Sequence, residues 1–185
     1  LAKPGICIVV TPLIALMKDQ VEKLTQRGIK SAYLFSGMTY DEIITTLNNC
    51  IYGDYKFLYI SPERIETEIF RMRFNNANVN LITVDEAHCI SQWGYDFRPS
   101  YLKIVQLREM FPNAPILALT ATATLDVQND IISKLGINKN EIKIFHEGIQ
   151  RPNLRLEAVE VYDEKESIEI IINVLKKYEG SGIIY

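Results

Sequence analysis

The sequence predicts an α/β fold with a mostly parallel central sheet, on three observations. Short apolar runs recur at 6–10, 32–35, 57–60, 81–84 and 116–119. Segments with apolar residues at helical spacing separate these runs, and glycine or proline marks many of the junctions. Strand–helix alternation of this kind calls for crossover connections, which parallel pairing requires and which turn right-handed.

Taken in order, Pro4-Gly5 turns the chain into a strand from Ile6 to Val10. Thr11 is the expected N-cap of the next helix, with Pro12 in its first turn. Leu13, Leu16, Met17, Val21 and Leu24 fall on one face, and Gly28 ends the helix. A strand from Ala32 to Phe35 follows, and the Thr39–Glu42 pair is a capping box opening a helix to about Ile51. Phe57 to Ile60 is a strand, after which Ser61-Pro62 repeats the cap-then-proline device for a helix through Arg73. Leu81 to Val84 is the central strand, buried on both faces. Pro99 to about Met110 is expected to be helical, Ile116 to Leu119 a strand, and Thr124 to Leu135 a helix closed by Gly136. A strand is expected at Ile142–Phe145, and an edge or linker strand over the alternating stretch Leu154–Val161. A helix capped by Asp163 and Glu166 then runs to about Tyr178, and Gly180 to Tyr185 begins a further buried strand.

The chain has 185 residues, of which 48% are hydrophobic, enough to bury a sizeable core. Its net charge of −3 gives no global basic field for nucleic acid, although the first forty residues set Lys3, Lys18, Lys23, Arg27 and Lys30 against Asp19 and Glu22. Three cysteines without C-x-x-C spacing fit a reducing, cytoplasmic compartment and speak against a zinc cluster or disulfide framework. No apolar run nears the roughly 20 residues that span a bilayer, so no membrane partner is expected.

Chemistry concentrates where the central strand ends, at Asp85-Glu86-Ala87-His88. Ligands of open α/β sheets gather at the carboxyl ends of strands. Alternation along a strand gives neighbouring side chains opposite directions, so Asp85 and Glu86 have different tasks. One can hold a magnesium ion on a nucleotide phosphate while the other polarises the attacking water. Beyond them, Trp93, Tyr95, Phe97 and Tyr101 alternate with Gly94, Asp96, Arg98 and Pro99. Glycine and aspartate at those places do not suit a core strand. Exposed aromatics beside an arginine suit stacking on unpaired bases, at about 1–3 kcal/mol per base.

Asp85-Glu86-Ala87-His88 resembles the Walker B motif of superfamily 2 helicases. With Cys89-Ile90-Ser91-Gln92-Trp93-Gly94-Tyr95-Asp96-Phe97-Arg98-Pro99-Ser100-Tyr101, the segment resembles the aromatic-rich loop of RecQ-family DNA helicases. The resemblance covers residues 6 to 185 and implies a RecA-like three-layer α/β/α lobe over 1–150. Residues 151–185 would then be a connector and the start of a second RecA-like lobe. It implies ATP and Mg2+ as cofactors, with Asp85 holding the ion through water and Glu86 activating the nucleophile. His88 would relay nucleotide state to the DNA side, with Thr120 and Thr122 of the motif III-like Leu119–Thr124 stretch as coupling residues. Thr11, Pro12 and Lys18 lie in a motif Ia-like stretch, and Ser61 and Arg64 in a motif Ib-like one. Both are expected against the DNA backbone, at helix starts whose free amides attract anions. Trp93, Phe97 and Arg98 would meet single-stranded DNA and unwinding junctions. Two positions depart from the family: Ile149 stands where an aromatic is usual before Arg151-Pro152-Asn153, and Tyr95 where histidine is frequent.

No Gly-Lys-Ser/Thr occurs in the 185 residues, so the phosphate-cradling loop is expected upstream and the lobe is read as truncated at both ends. The parent is expected to be an ATP-driven 3′-to-5′ DNA helicase, cytoplasmic and nucleoid-associated if bacterial, and the chain alone inactive. A DEAH-type RNA helicase and a non-catalytic nucleic-acid-binding module on a degenerate helicase fold are the alternatives. A zinc hydrolase using Asp85, Glu86 and His88 is a weaker competitor, because His146 is the only other histidine and such sites commonly use three protein ligands.

Overall fold

The computed structural model describes residues 3–138, 141–146 and 153–184. The chain parts into two compact units, 1–143 and 144–185. The boundary expected near residue 150, with Ile149, Arg151 and Pro152, lies outside the described residues.

The first unit is built on a five-stranded sheet in the order β2-β3-β1-β4-β5. The strands are β1 (Ile6–Val10), β2 (Ser31–Leu34), β3 (Phe57–Ile60), β4 (Val79–Val84) and β5 (Ile116–Ala118). All four pairings are parallel, with Val10 opposite both Ile60 and Val84, and Val84 opposite Ala118. β1 is therefore central, flanked by β3 and β4, and its five residues are all buried.

Alternate residues of each strand face two apolar layers. Ile6, Ile8, Val10, Leu58, Ile60, Ile82 and Val84 meet the larger layer, formed with residues of α2 (Tyr40–Tyr52), α3 (Glu68–Phe74), α4 (Val105–Met110) and α5 (Leu125–Lys134). Cys7, Val9 and Tyr59 face α1 (Ile14–Gln26) on the opposite side, where Met17 and Val21 are buried one helical turn apart. The result is the three-layer α/β/α arrangement expected from strand–helix alternation.

Local chemistry sets most helix ends. Thr39 and Glu42 form the reciprocal capping box at α2, and the Thr124 hydroxyl accepts from the Val127 N–H at α5. α1 and α5 both end with glycine in the left-handed region, Gly28 at φ 74° and Gly136 at φ 61°. In each case the next residue reaches back, Ile29 N–H to the Leu24 carbonyl and Ile137 N–H to that of Ile132.

Several expectations need correction. α1 starts at Ile14 with Leu13 as a cap lacking a side-chain bond, so Thr11 does not cap it. The helix expected from Pro62 through Arg73 is a 3-10 turn at Pro62–Arg64 and then α3. Likewise the segment after Pro99 is 3-10 to Ile104 before becoming α4. No strand forms at 142–145, over 154–161 or at 180–184. A strand needs a paired neighbour, and the described residues of the second unit contain only the helix α6 (Glu164–Lys177). α6 is capped by the Asp163 carboxylate, which accepts from Glu166 N–H at 2.8 Å. The Glu166 side chain accepts from Tyr162 N–H, one residue earlier than a capping box would have it. Among the described residues no helix is long and apolar enough to cross a membrane.

Candidate nucleotide and nucleic-acid site

Parallel pairing puts the carboxyl ends of all five strands along one rim, so segments distant in sequence meet there. Thr11 follows β1, Ser61 follows β3, Asp85 follows β4 and Thr120 lies just past β5. The ladder continues past the strands: Asp85 N–H donates to Val10 O at 2.9 Å, and Leu119 N–H to Val84 O at 2.8 Å. Ala87 N–H returns to Leu119 O at 2.8 Å, which fixes the chain after Glu86 against the end of β5.

Three groups orient Asp85. Its carboxylate accepts from the Thr11 hydroxyl at 3.3 Å and from Glu86 N–H at 3.0 Å. Its main-chain carbonyl accepts from the buried Tyr101 hydroxyl at 3.1 Å. Burial raises the Tyr101 phenol, which therefore stays a donor. Glu86 sits at φ 48°, ψ 45°, the one non-glycine residue with positive φ among the described residues. Holding a glutamate there costs on the order of 1–3 kcal/mol, a type of strain that clusters at functional sites. The turn sends the Glu86 carboxylate to His88 Nδ1, at 3.3 Å, while Asp85 keeps to Thr11. The two acids have different partners, but the left-handed turn at Glu86 beyond the end of β4, not strand alternation, is what separates them.

His88 is 2% exposed, and its Nδ1 lies 3.0 Å from the Thr120 hydroxyl. That hydroxyl spends its one proton on the Thr122 carbonyl at 3.1 Å, so toward His88 it can only accept. The Thr120 contact is therefore served by a proton on Nδ1, and the Glu86 carboxylate lies 3.3 Å from the same nitrogen, within ion-pair distance. Thr122 enters through its main chain, its N–H donating back to Thr120 Oγ1 at 3.3 Å. His88, Thr120 and Thr122 are thereby hydrogen-bonded in series, and Glu86 joins them by its ion-pair contact with His88.

The segment 91–98 closes over this chain. The Tyr95 ring stacks on His88, with centroids 4.6 Å apart and planes inclined 20°. Trp93 is 78% exposed and Phe97 half-buried. Arg98 makes two bonds to Asp96 Oδ2, at 2.9 and 3.1 Å, and reaches the Pro12 carbonyl at 3.5 Å. The guanidinium holds the Asp96 carboxyl below its ordinary value. At Gly94 the backbone passes so close to His88 that a Cβ would stand 2.6 Å from the His88 carbonyl oxygen. Gly94→Ala must therefore push the segment off the histidine. Overpacking of this kind costs about 1–3 kcal/mol, and we expect a matching fall in the denaturation midpoint together with raised Trp93 mobility in fluorescence anisotropy.

The residues expected on the DNA backbone are placed less uniformly. Thr11 is fully buried, with its hydroxyl on Asp85 and its N–H on the Ile60 carbonyl, so its geometry serves the acid pair rather than a surface. Pro12 is half-buried, and its carbonyl is the one Arg98 reaches. Lys18 is exposed on α1, its ammonium 5.0 Å from the centre of the Phe35 ring. The Ser61 hydroxyl is buried without a hydrogen-bond partner. Arg64 spends Nε and Nη2 on the Phe35 carbonyl, at 2.9 and 2.5 Å. Sequence reasoning missed the clamp of Thr11 and Tyr101 on Asp85 and the stacking of Tyr95 on His88. The ring positions were visible in the sequence; their directions were not.

Comparison with known proteins agrees with this geometry. Residues 1–131 match the family model described as DEAD/DEAH box helicase. Over 181 residues the chain is 43% identical to "ATP-dependent DNA helicase RecQ" of Haemophilus influenzae, covering 98% of this chain and 29% of that protein. It is 41% identical to the RecQ of Pasteurella multocida (98% and 28%) and 36% identical to "Probable ATP-dependent DNA helicase RecS" of Bacillus subtilis (98% and 36%). The chain thus spans about a third or less of the length of these relatives. The Pyrococcus furiosus Hef helicase domain shares the fold, with a TM-score of 0.54 at 20% identity over 74% of this chain and 28% of that one. The chain belongs to the DEAD/DEAH box helicase family, and along nearly its whole length it is similar to RecQ proteins.

Proposed function

We propose that this chain is most of the first motor lobe of a RecQ-type, ATP-dependent 3′-to-5′ DNA helicase. The observation that carries the reading is the unbroken route from Asp85 and Glu86, through His88, to Thr120 and the ring-bearing segment. One end of that route presents acids at a strand rim. The other end presents exposed rings of the kind that stack on unpaired bases.

Asp85 suits a hydrated magnesium ion: its hard carboxylate oxygens are half-exposed and held in place by the Thr11 hydroxyl and Glu86 N–H. When bound, the ion would supply positive charge against the phosphates, with Asp85 as the residue that holds it. Glu86 accepts the proton of the attacking water. His88, in ion-pair contact with Glu86 and capped by Tyr95, passes any shift of that carboxylate to Thr120 and to the loop. Trp93, Phe97 and Arg98 meet the single strand, and the exposed Lys18 and the Arg64 donors not given to Phe35 serve its backbone, whereas the buried Ser61 hydroxyl does not reach it. Pro12 steers Arg98 through its carbonyl.

The test compares ATP hydrolysis with single-stranded DNA, single-stranded RNA and neither. A protein carrying this lobe with a phosphate-binding loop and a second lobe is expected to be stimulated by DNA in preference to RNA. The 185-residue chain, which has no Gly-Lys-Ser/Thr, is expected to show no DNA-stimulated hydrolysis. Equal stimulation by RNA would overturn the DNA assignment, and stimulated hydrolysis by the short chain would overturn the partition of the motor.

A further inference from the structure

His88, Cys89 and Asp96 bring an imidazole nitrogen, a thiol sulfur and a carboxylate oxygen within 4.8 Å of one another. None of the roles above uses Cys89, which is fully buried. Its sulfur lies 3.8 Å from His88 Nε2 and 3.8 Å from Asp96 Oδ2. A tetrahedral zinc ion, with bonds of about 2.3 Å to sulfur and 2.0–2.1 Å to nitrogen or oxygen, sets its donors about 3.3–3.6 Å apart. The two measured separations exceed that by a few tenths of an ångström.

The surroundings favour the same chemistry. His88 turns Nε2 toward the Cys89 sulfur, while Nδ1 faces the Thr120 hydroxyl at 3.0 Å and the Glu86 carboxylate at 3.3 Å. A histidine whose far nitrogen is held by such polar partners has the ring orientation usual for a metal-bound imidazole. Asp96 is kept ionised by Arg98, which leaves it an anionic donor. Sulfur with imidazole selects zinc-like ions over magnesium, so this cluster does not compete for the ion expected at Asp85.

We infer that His88 Nε2, Cys89 Sγ and Asp96 form a binding site for a zinc-class divalent ion that fastens the 91–98 segment to the Asp-Glu-Ala-His turn. On binding, the Cys89 S–H bond breaks, its proton passes to water, and a sulfur–metal bond forms without change of oxidation state. Water completes the coordination. Asp96 belongs to the aromatic segment and His88 to the turn, so the ion holds the segment in the closed position seen here. The binding itself stands apart from the motor reading.

The probe is Co2+, titrated into the 185-residue chain and then displaced by Zn2+. The expected result is one equivalent bound, with a thiolate-to-cobalt charge-transfer band and the strong d–d absorption of a tetrahedral ion. Binding should quench Trp93, the only tryptophan, and Zn2+ should remove the cobalt bands. Cys89→Ser should abolish the charge-transfer band. Asp96→Asn, at a half-exposed position that leaves the core intact, should weaken Co2+ binding at least tenfold. Cys50→Ser, at a thiol with no hydrogen-bond or ion-pair partner, should change neither. Absence of the band in the parent chain, its survival in Cys89→Ser, or unchanged affinity in Asp96→Asn would each overturn the assignment.

Discussion

Replacing Glu86 by Gln is expected to lower ATP turnover by about 10²–10⁴-fold, the range for loss of a positioned general base, while leaving nucleotide affinity within a few fold. The contrast follows from what the amide keeps. Gln retains the length of the side chain and an oxygen at the place where the carboxylate now lies 3.3 Å from His88 Nδ1. It cannot take a proton from water. The contact from Asp85 to Thr11 is untouched, so the half of the site expected to hold the ion survives. Steady-state turnover and equilibrium binding of a fluorescent ATP analogue, measured in a helicase built on this lobe, separate the two effects. A second substitution shows why the backbone matters. Asn tolerates the left-handed conformation that Glu86 is forced to adopt, so Glu86→Asn relieves part of the strain. It should lose turnover as Gln does but gain about 1 kcal/mol, a rise in Tm of about 2–4 °C. Turnover retained by Glu86→Gln would remove the proton-accepting role; no thermal gain in Glu86→Asn would remove the strain argument.

The rim was legible because its logic is topological. The runs at 6–10, 57–60 and 116–119 predict β1, β3 and β5 to within a residue, and parallel pairing then brings Thr11, Ser61, Asp85 and Thr120 to one edge. The direction of a side chain beyond that edge is not carried by period or propensity. Thr11 is expected at the DNA backbone because its stretch resembles motif Ia and opens a helix whose free amides attract anions. Its hydroxyl instead meets Asp85 across the β1–β4 pair, 74 positions away in sequence. The positive φ of Glu86 has no local signature either, since neither neighbour is glycine and the turn is imposed by the Ala87–Leu119 bond. The missing strands at 142–145 and 154–161 fail for the opposite reason. Their alternation is a pattern for pairing, and neither stretch enters a ladder among the described residues.

Replacing Trp93 by Ala is expected to take the DNA-stimulated rate down to the DNA-free rate of the same variant, and to weaken single-strand binding about 5- to 150-fold. Trp93 is 78% exposed and its ring has no aromatic neighbour recorded within the described residues, so its removal costs the fold no more than about 0.5 kcal/mol. What is lost is a stacking platform worth about 1–3 kcal/mol per base, which gives the stated range. Tyr95 is the informative comparison. It is as exposed as Trp93, at 79%, but one face of its ring lies on His88. Tyr95→Ala should uncover a histidine that is now 2% exposed and disturb the contact from His88 to Glu86, so the DNA-free rate should change as well. The two variants thus divide the loop into a residue that reads the strand and one that carries the reading inward. Filter binding and ATPase assays with and without single-stranded DNA, run on both, make the division measurable. If Trp93→Ala kept full stimulation, the ring nearest solvent would not be the one that senses DNA, and the route from strand to acid pair would have to begin at Phe97 or Arg98.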